Sequence, residues 1–514
     1  MLKGFRQIAS LTALSRVFGL IRDITFAHFF GAGWLMTAWT MGFKVPNLAR
    51  RLFGEGAASA SFIPVYSEQL HKNPQQAKML ANTVVTVVFV ILAAIVLIGE
   101  TILWTYYQFE PRTGPRLGLT LCSIMMPYMI FVCLVAILAG ILNVHRHFAA
   151  PAAAPIVLNI FIIAGILVTG RILNIEAQIQ VFYVAVAVLM AGLVQIAIQL
   201  PPLLAHGVSI RPQWQIHSDA FKKFIIMMGP MILGLTVTQI NTLFDDLIAL
   251  SFMTKEGYPL GYGAPSYLYY AQRLYQFPLG VLGISLATAI FPVMSAAAAK
   301  NDFNALRLTI AKAIRSVIFV AFPATAGLAL VAKPLVSAIF EHGNFTSADT
   351  AVVAWTLVFY AIGLTGFFAQ QITTRAFYSM QNSKVPAKSA VVAVIINVIL
   401  NLTLIWFMGT AGLALSTAIC SYVQVAILLC VLRKKFAQPI LTNLPVTLLK
   451  TLAATAAMFI IGLAVMLACR NLPYDRLYNI LRLAVTVPAA AATYILVAKV
   501  LKIKMLSLLI SKKT

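Results

Sequence analysis

Gln7-Ile-Ala-Ser-Leu-Thr-Ala-Leu-Ser-Arg-Val-Phe-Gly-Leu-Ile-Arg-Asp-Ile-Thr-Phe-Ala-His-Phe-Phe30 is long and apolar enough to cross a bilayer, yet it holds Arg16, Arg22 and Asp23. A span needs about 20 apolar residues. A charge near its middle costs roughly 2.5–3.5 kcal/mol on insertion scales, so such residues are rarely kept without a task. The pattern returns with Lys44, Arg50, Arg51 and Glu55 in the second hydrophobic segment and with Arg273 in the eighth. Several cations inside one helical bundle point to a negatively charged cargo.

The rest of the chain agrees. Of its 514 residues, 61% are hydrophobic and 10% charged, against about 45–50% and about 25% in soluble domains. Fourteen stretches qualify as spans: 7–30, 34–53, 79–105, 118–143, 152–172, 179–204, 222–252, 264–298, 308–332, 350–378, 386–408, 411–432, 443–469 and 477–500. The loops between them leave no room for a soluble domain. The expected fold class is therefore an all-α integral membrane protein.

Net charge is +24. The bias of Lys and Arg toward cytoplasmic loops, together with attraction to anionic headgroups, accounts for most of it. With no basic soluble module, nucleic acid is not an expected partner. Loops after even-numbered spans are basic (Lys72 and Lys78, Arg146, Lys222 and Lys223, Lys384 and Lys388, Arg433 to Lys435), as are both termini. Loops after odd-numbered spans are mixed, which places both ends in the cytoplasm. The first segment is too long and too charged for a secretory signal, so it is expected to be retained. Cys122, Cys133, Cys420, Cys430 and Cys469 lie in apolar segments at no metal-ligand spacing and read as small core residues.

Two internal similarities suggest a duplication. Phe62-Ile-Pro-Val-Tyr-Ser67 resembles Ile290-Phe-Pro-Val-Met-Ser295, their prolines 228 residues apart; Pro151-Ala152 and Pro386-Ala387 lie 235 apart. Two six-helix lobes follow, 1–218 and 219–435, with a helix pair left over in 436–514. An even number of spans per lobe makes the repeat parallel, and such halves commonly enclose a central cavity that opens to alternate sides. Gly42, Pro46, Gly54 and Gly56 in the second segment, with Pro278, Gly280 and Gly283 in the eighth, mark places where a helix can bend.

Helical geometry sorts the charges. Arg16 and Asp23, seven apart, lie within about 20° around the axis, and Arg22 about 120° from Arg16. Lys44 and Arg51 share a face, and Arg51 with Glu55 forms an i,i+4 pair. Arg50 has no acid at i±3 or i±4. Arg16, Arg22, Arg50 and Arg273 are thus the groups most available to a ligand, with Lys44 next. The planar guanidinium fork suits the paired oxygens of a diphosphate. Two readings stand for Asp245 and Asp246, mid-span in the seventh segment: binding Na⁺ or a proton for coupling, or answering the arginines. Asn382, Asn397 and Asn401 join helices by hydrogen bonds or supply carbonyl oxygens. His145 and His147 are expected to face headgroups from a basic turn. No Walker A loop, HExxH or nucleophile elbow is present, so no enzyme activity and no metal site are expected.

The stretches Ser15-Arg-Val-Phe-Gly-Leu-Ile-Arg-Asp23, Phe30-Gly-Ala-Gly33, Phe43-Lys-Val-Pro-Asn-Leu-Ala-Arg-Arg-Leu-Phe-Gly-Glu-Gly-Ala57 and Tyr269-Tyr-Ala-Gln-Arg-Leu274 closely resemble the MurJ (MviN) family of lipid II flippases, as do Phe277-Pro-Leu-Gly-Val-Leu-Gly283 and Phe340-Glu-His-Gly-Asn-Phe345. The resemblance covers nearly the whole chain. It implies a fold of the multidrug/oligosaccharidyl-lipid/polysaccharide (MOP) superfamily, with fourteen helices, two six-helix lobes around a central cavity and a C-terminal helix pair grooved for a lipid tail.

The activity implied is transport of the undecaprenyl-diphosphate-linked peptidoglycan precursor from the cytoplasmic to the outer leaflet of the bacterial inner membrane. Arg16, Arg22, Arg50 and Arg273 match the family's cavity arginines, with Lys44, Arg51, Glu55 and Asp23 beside them. The implied partners are lipid II, membrane lipids and the cell-wall synthesis machinery. No cofactor is implied beyond a coupling ion, Na⁺ or H⁺, or the membrane potential. The alternative is a flippase or exporter for another lipid-linked oligosaccharide of the superfamily. Thr37 stands where many relatives carry an aspartate, and Gln272 and Gln276 where some carry acids.

Overall fold

A computed structural model describes residues 2–54, 57–110, 113–254, 256–436, 438–439 and 444–506, without the side chains of 2–9, 53–54, 57–60, 113, 230–238 and 240. Helix falls on each of the fourteen stretches. The first half runs α1 (Leu2–Phe30), α2 (Trp34–Gly42), α3 (Lys44–Ala49), a π-helical turn (Arg50–Gly54), α4 (Ala57–Lys72), α5 (Pro74–Phe109), α6 (Thr113–Met125), α7 (Tyr128–Val144), α8 (Ala149–Leu167), a second π turn (Val168–Ile172), α9 (Ala177–Ala197) and α10 (Leu200–Ala205). It continues into α11 (Asp219–Ser251), the paired dipeptides β1 (Met253–Thr254) and β2 (Leu260–Gly261), α12 (Ala264–Pro278), a third π turn (Leu279–Ile284), α13 (Ser285–Ala299) and α14 (Phe303–Phe340). The chain ends with α15 (Ser347–Ile362), α16 (Leu364–Ser379), α17 (Lys384–Met408), α18 (Thr410–Phe436), α19 (Leu444–Ala468) and α20 (Arg476–Val500).

Among the described residues nine helices are long and apolar enough to cross a membrane. The number is eleven if α6–α7 and α15–α16, bent by 41° and 42°, each count as one span. This is a multi-pass helical membrane protein. Its outward faces say the same: Leu97, Ile98, Ile102 and Trp104 on α5 and Phe407 on α17 are more than 60% exposed. Water would oppose so much apolar surface, whereas lipid accepts it.

Local chemistry sets the helix ends. Asn73 caps α5 by accepting from the amides of Gln75 and Gln76, with Pro74 at the first helical position. Thr346 and Asp349 form a capping box on α15. Gly31, at φ +65°, stops α1 in a left-handed conformation that disfavours residues with a Cβ.

The breakers act where the sequence places them. Helix is interrupted at Phe43 and passes into the π turn that ends at Gly54, while Pro278 leads into the third π turn. At Gly283 a Cβ would sit 2.8 Å from the Phe368 ring, so only glycine allows α16 so close.

The chain divides into two compact units, 1–239 and 240–514. In the first, Phe62, Tyr66, Leu80, Val84, Ile141 and Phe224 form a buried core. In the second, Phe319, Met458 and Tyr494 join α14, α19 and α20, and Tyr270, Phe340 and Phe345 make an aromatic cluster with centroids 4.8–5.9 Å apart. Cys122, Cys133 and Cys420 are buried as expected. Cys430 is exposed and Cys469 half-buried, so those two lie outside the core; all five are free thiols.

Candidate functional site

The charges of α1 are arranged differently from a helical-wheel count. Asp23 is buried at 4% exposure and pairs with its neighbour: Arg22 donates from Nη2 at 2.7 Å and from Nε at 3.0 Å to one carboxylate oxygen. The reason is reach. The Cα directions of adjacent residues diverge, but the long arginine stem curls back along the helix. Arg22 Nη1 also donates to Asn159 Oδ1 on α8 at 2.9 Å, and Asn159 returns a bond to the Ser15 carbonyl at 3.4 Å. Arg22 is therefore half-buried and oriented. Arg16, one face away, is exposed and makes no hydrogen bond or ion pair with a described residue.

In the second segment Lys44 opens α3 and is half-buried. Arg50 opens the π turn, where its Nη2 and Nε donate to Asn47 Oδ1 at 2.9 and 3.2 Å. Arg51 is exposed and reaches Gln239 Oε1 on α11 at 3.1 Å. Between Lys44 and Arg51 the α-helix passes into this wider π turn at Arg50. Glu55 lies outside the described residues.

The second unit holds Arg273 on α12. It is half-buried, its guanidinium 4.6 Å from the centroid of the Tyr269 ring one turn earlier. Gln272 beside it donates to the Tyr360 hydroxyl at 3.1 Å. Thr37 is buried at 4% exposure, and Gln276, one turn after Gln272 on α12, is half-buried.

Asp245 and Asp246 are buried at 3% and 6% exposure. Asp245 accepts from Asn401 Nδ2 at 2.6 Å and from Thr417 Oγ1 at 3.2 Å. Asn401 Nδ2 also donates to Asn397 Oδ1 at 3.0 Å, and Asn397 to Ser416 Oγ at 3.1 Å. The buried Asn401 Oδ1 accepts no hydrogen bond from a described residue. This network ties α11, α17 and α18 and leaves oxygen atoms of the kind an alkali cation takes. Asn382 is not part of it; its Oδ1 accepts from the Val385 amide at 3.3 Å. No group of three or more His, Cys, Asp or Glu suited to a metal ion occurs among the described residues.

His145 turns inward instead of facing headgroups. Its Nε2 lies 3.0 Å from the hydroxyl of the buried Tyr66, and its ring centroid is 5.0 Å from that of His206. Burial, with His206 adding to it, lowers its pKa below 6.5. A neutral ring is thus favoured in the folded protein. Its stabilising contribution is complete above pH 6.5 and is lost as pH falls through the lowered folded value. In histidine-labelled protein His145 is expected to titrate below the ordinary midpoint; a midpoint at or above 6.5 contradicts this packing.

Sequence reasoning passed over Asn159, Gln239, Tyr269 and Thr417. A lone amide in the apolar run Ile156-Val-Leu-Asn-Ile-Phe-Ile162 was the available signal for Asn159. Thr417 had none, since threonine is ordinary in such helices.

A polytopic helical bundle carrying charged side chains within its first two segments has the architecture of a membrane transporter. The solved structure "Lipid II flippase MurJ, inward closed conformation" shares the fold with a TM-score of 0.77 and 23% identity, over 96% of this chain and 99% of that one. A MATE-family transporter of the MOP superfamily, in an inward-facing conformation, matches at TM-score 0.67 and 13% identity, over 84% and 98%. The chain belongs to the family described as "Lipid II flippase MurJ", which matches residues 26–474. Its relatives include the "Probable lipid II flippase MurJ" of Vibrio cholerae serotype O1, 32% identical over 442 residues, 83% of this chain and 82% of the relative. The "Lipid II flippase MurJ" of Burkholderia cenocepacia is 30% identical over 448 residues, 85% and 84%.

Proposed function

We propose that this protein is a lipid II flippase of the bacterial inner membrane, with both termini in the cytoplasm, and that it works by alternating access. The observation that carries the reading is family membership over residues 26–474. The arginines supply a chemistry that fits: a diphosphate offers paired anionic oxygens, and guanidinium forks bind them bidentately. Arg16, Arg22 and Arg50, with Lys44 and Arg51 beside them, take the diphosphate together with Arg273, while Asp23 orients Arg22. Lobes 1–218 and 219–435 rock about the bound headgroup, the pair in 436–514 guides the polyprenyl tail, and the tail stays in lipid. No bond is made or broken. The barrier is passage of a charged sugar-peptide head through hydrocarbon.

Asp245, with Asp246 nearby, takes Na⁺ or a proton for coupling, using the amide oxygen of Asn401 and the hydroxyl of Thr417. The membrane potential contributes as well, about 2.3 kcal/mol per charge for each 100 mV crossed.

Depletion of the protein in its host is expected to collect lipid-linked precursor in the cytoplasmic leaflet, as read by protection from an externally added precursor-cleaving enzyme. An unchanged distribution between leaflets refutes the reading.

A further inference from the structure

Three histidine rings gather where α7 and α10 end. The centroids of His145 and His206 lie 5.0 Å apart, and those of His147 and His206 6.2 Å. Both helices close in the same manner. The His145, Arg146 and His147 amides donate to the carbonyls of Ile141, Asn143 and Leu142, with Arg146 at φ +60°. The His206, Gly207 and Val208 amides donate to those of Pro202, Leu204 and Leu203, with Gly207 at φ +71°. These closures use carbonyls that would otherwise welcome a cation at each helix end. His206 Nδ1 lies 2.7 Å from the Pro202 carbonyl and donates to it, which orients the ring.

His145 sits over a buried hydroxyl. Tyr66 on α4 is 0% exposed, and among the described residues the only hydrogen-bond partner of its hydroxyl is His145 Nε2, at 3.0 Å. When Nε2 is unprotonated the phenol donates to it. A proton on Nε2 reverses the bond and leaves the phenol hydrogen without an acceptor, the costly case for a buried donor.

The surroundings do not welcome that charge. Around the rings stand the Tyr66 phenol from α4, His206 from the end of α10, and Arg146 and His147 from the turn after α7. Lys78 comes in from α5; its Nζ would lie 3.4 Å from a Cβ at Gly207. Neither α8 nor α9 has a charged residue along its length. Glu68, two residues after Tyr66, is engaged by Lys72 at 2.8 Å and Lys223 at 2.5 Å. Burial, with His206 adding to it, lowers the pKa of His145, as suits a ring that is neutral at rest.

The contact also marks where a strap leaves the bundle. Leu203 and Val208 share one buried core with Tyr66, Ile141 and Leu142. From Val208 the chain runs without helix to Ser218, ahead of α11. It lies on α5, the Arg211 amide donating to Asn82 Oδ1 at 3.3 Å and the Gln213 amide to Thr86 Oγ1 at 3.0 Å. We propose that the meeting of His145 with His206 is an acid-released clasp, in which protonation of the rings frees the end of α10 from α7 and loosens the strap that leads to α11. On the assignment made from the loop charges, it senses the pH of the cytoplasm. The clasp involves no cargo and none of the arginines assigned to the diphosphate, so it stands or falls separately from the flippase reading.

Hydrogen exchange of the full-length protein in lipid nanodiscs, read by mass spectrometry at about pH 7.5 and about pH 5.5 and corrected for the intrinsic pH dependence of exchange, tests it. The peptide covering 207–214 is expected to lose protection by at least about tenfold at the lower pH, with α9 unchanged. His145→Gln/His206→Gln, which keeps an acceptor for the Tyr66 hydroxyl and takes up no proton, is expected to hold its protection at both pH values. Tyr66→Phe removes the stranded hydroxyl, leaves all three rings in place and is expected to lose less protection than the wild type. Equal protection of the wild type at both pH values overturns the proposal, and so does a loss in either variant as large as in the wild type. An equal loss in α9 overturns it as well, since the acid effect would then be general unfolding.

Discussion

Arg273→Ala is expected to abolish growth of a strain that depends on this protein while leaving a normal amount of folded protein in the membrane. Arg273 touches the Tyr269 face, a contact worth about 0.5–1 kcal/mol at an exposed site and about 2 when desolvated. A charge-assisted hydrogen bond to a diphosphate contributes about 1.5–3 kcal/mol, which is roughly ten- to hundredfold in affinity. Arg273→Lys keeps the charge but loses the fork, so on this account it rescues only in part. Arg22→Ala should fail in the same assay for two reasons at once. It removes a diphosphate ligand and also takes the Arg22 charge away from the buried Asp23, and breaking a buried pair costs about 3–5 kcal/mol. The Arg22→Ala/Asp23→Asn double variant separates them by removing both charges of the pair. If that variant or Arg273→Ala grows normally, the residue concerned has no part in binding the precursor.

Much of this arrangement was legible in the sequence because membrane insertion imposes a coarse rule. An apolar run of about 20 residues favours helix, since hydrocarbon satisfies no backbone group, and nine to eleven of the helices among the described residues are long and apolar enough to cross a membrane. The breakers were legible too: Phe43, Arg50 to Gly54 and Leu279 to Ile284 deviate from α-helix beside the prolines and glycines that mark them. What the sequence hid lies at the scale of side-chain reach. A helical wheel assigns directions to Cα–Cβ bonds, so it put Asp23 with Arg16, whereas the flexible Arg22 side chain claims it. The wheel also assumed a uniform helix from Lys44 to Arg51, which the π turn breaks. The contacts of Arg22 with Asn159 and of Arg51 with Gln239 join residues 137 and 188 positions apart. No local pattern encodes such pairs.

The buried carboxylate of Asp245 yields the second large effect, and here charge and packing have to be separated. Asp245→Ala removes the acceptor of Asn401 Nδ2 and of the Thr417 hydroxyl. Each partner keeps a second bond, to Asn397 Oδ1 and to the Leu413 carbonyl, so the loss is expected near the lower end of the about 1–3 kcal/mol for a buried polar group deprived of its mate. Asp245→Asn preserves shape and an acceptor oxygen while removing the charge, and its fold is expected to hold. If the carboxylate takes Na⁺, the wild-type melting temperature rises when sodium replaces choline at constant ionic strength, by the mass-action stabilisation of a ligand that binds only the folded state. The Asn variant then shows no such rise and no transport. A proton in the same place predicts a pH-dependent melting curve that the Asn variant flattens, without any sodium response. Asp246→Asn, which leaves the Asn401 and Thr417 bonds in place, tells which of the two acids carries the charge that matters. A wild type indifferent to sodium and to pH, together with normal growth of Asp245→Asn, would reduce this network to a fastening between α11, α17 and α18, and coupling would then have to come from the membrane potential acting on the substrate and the arginines alone.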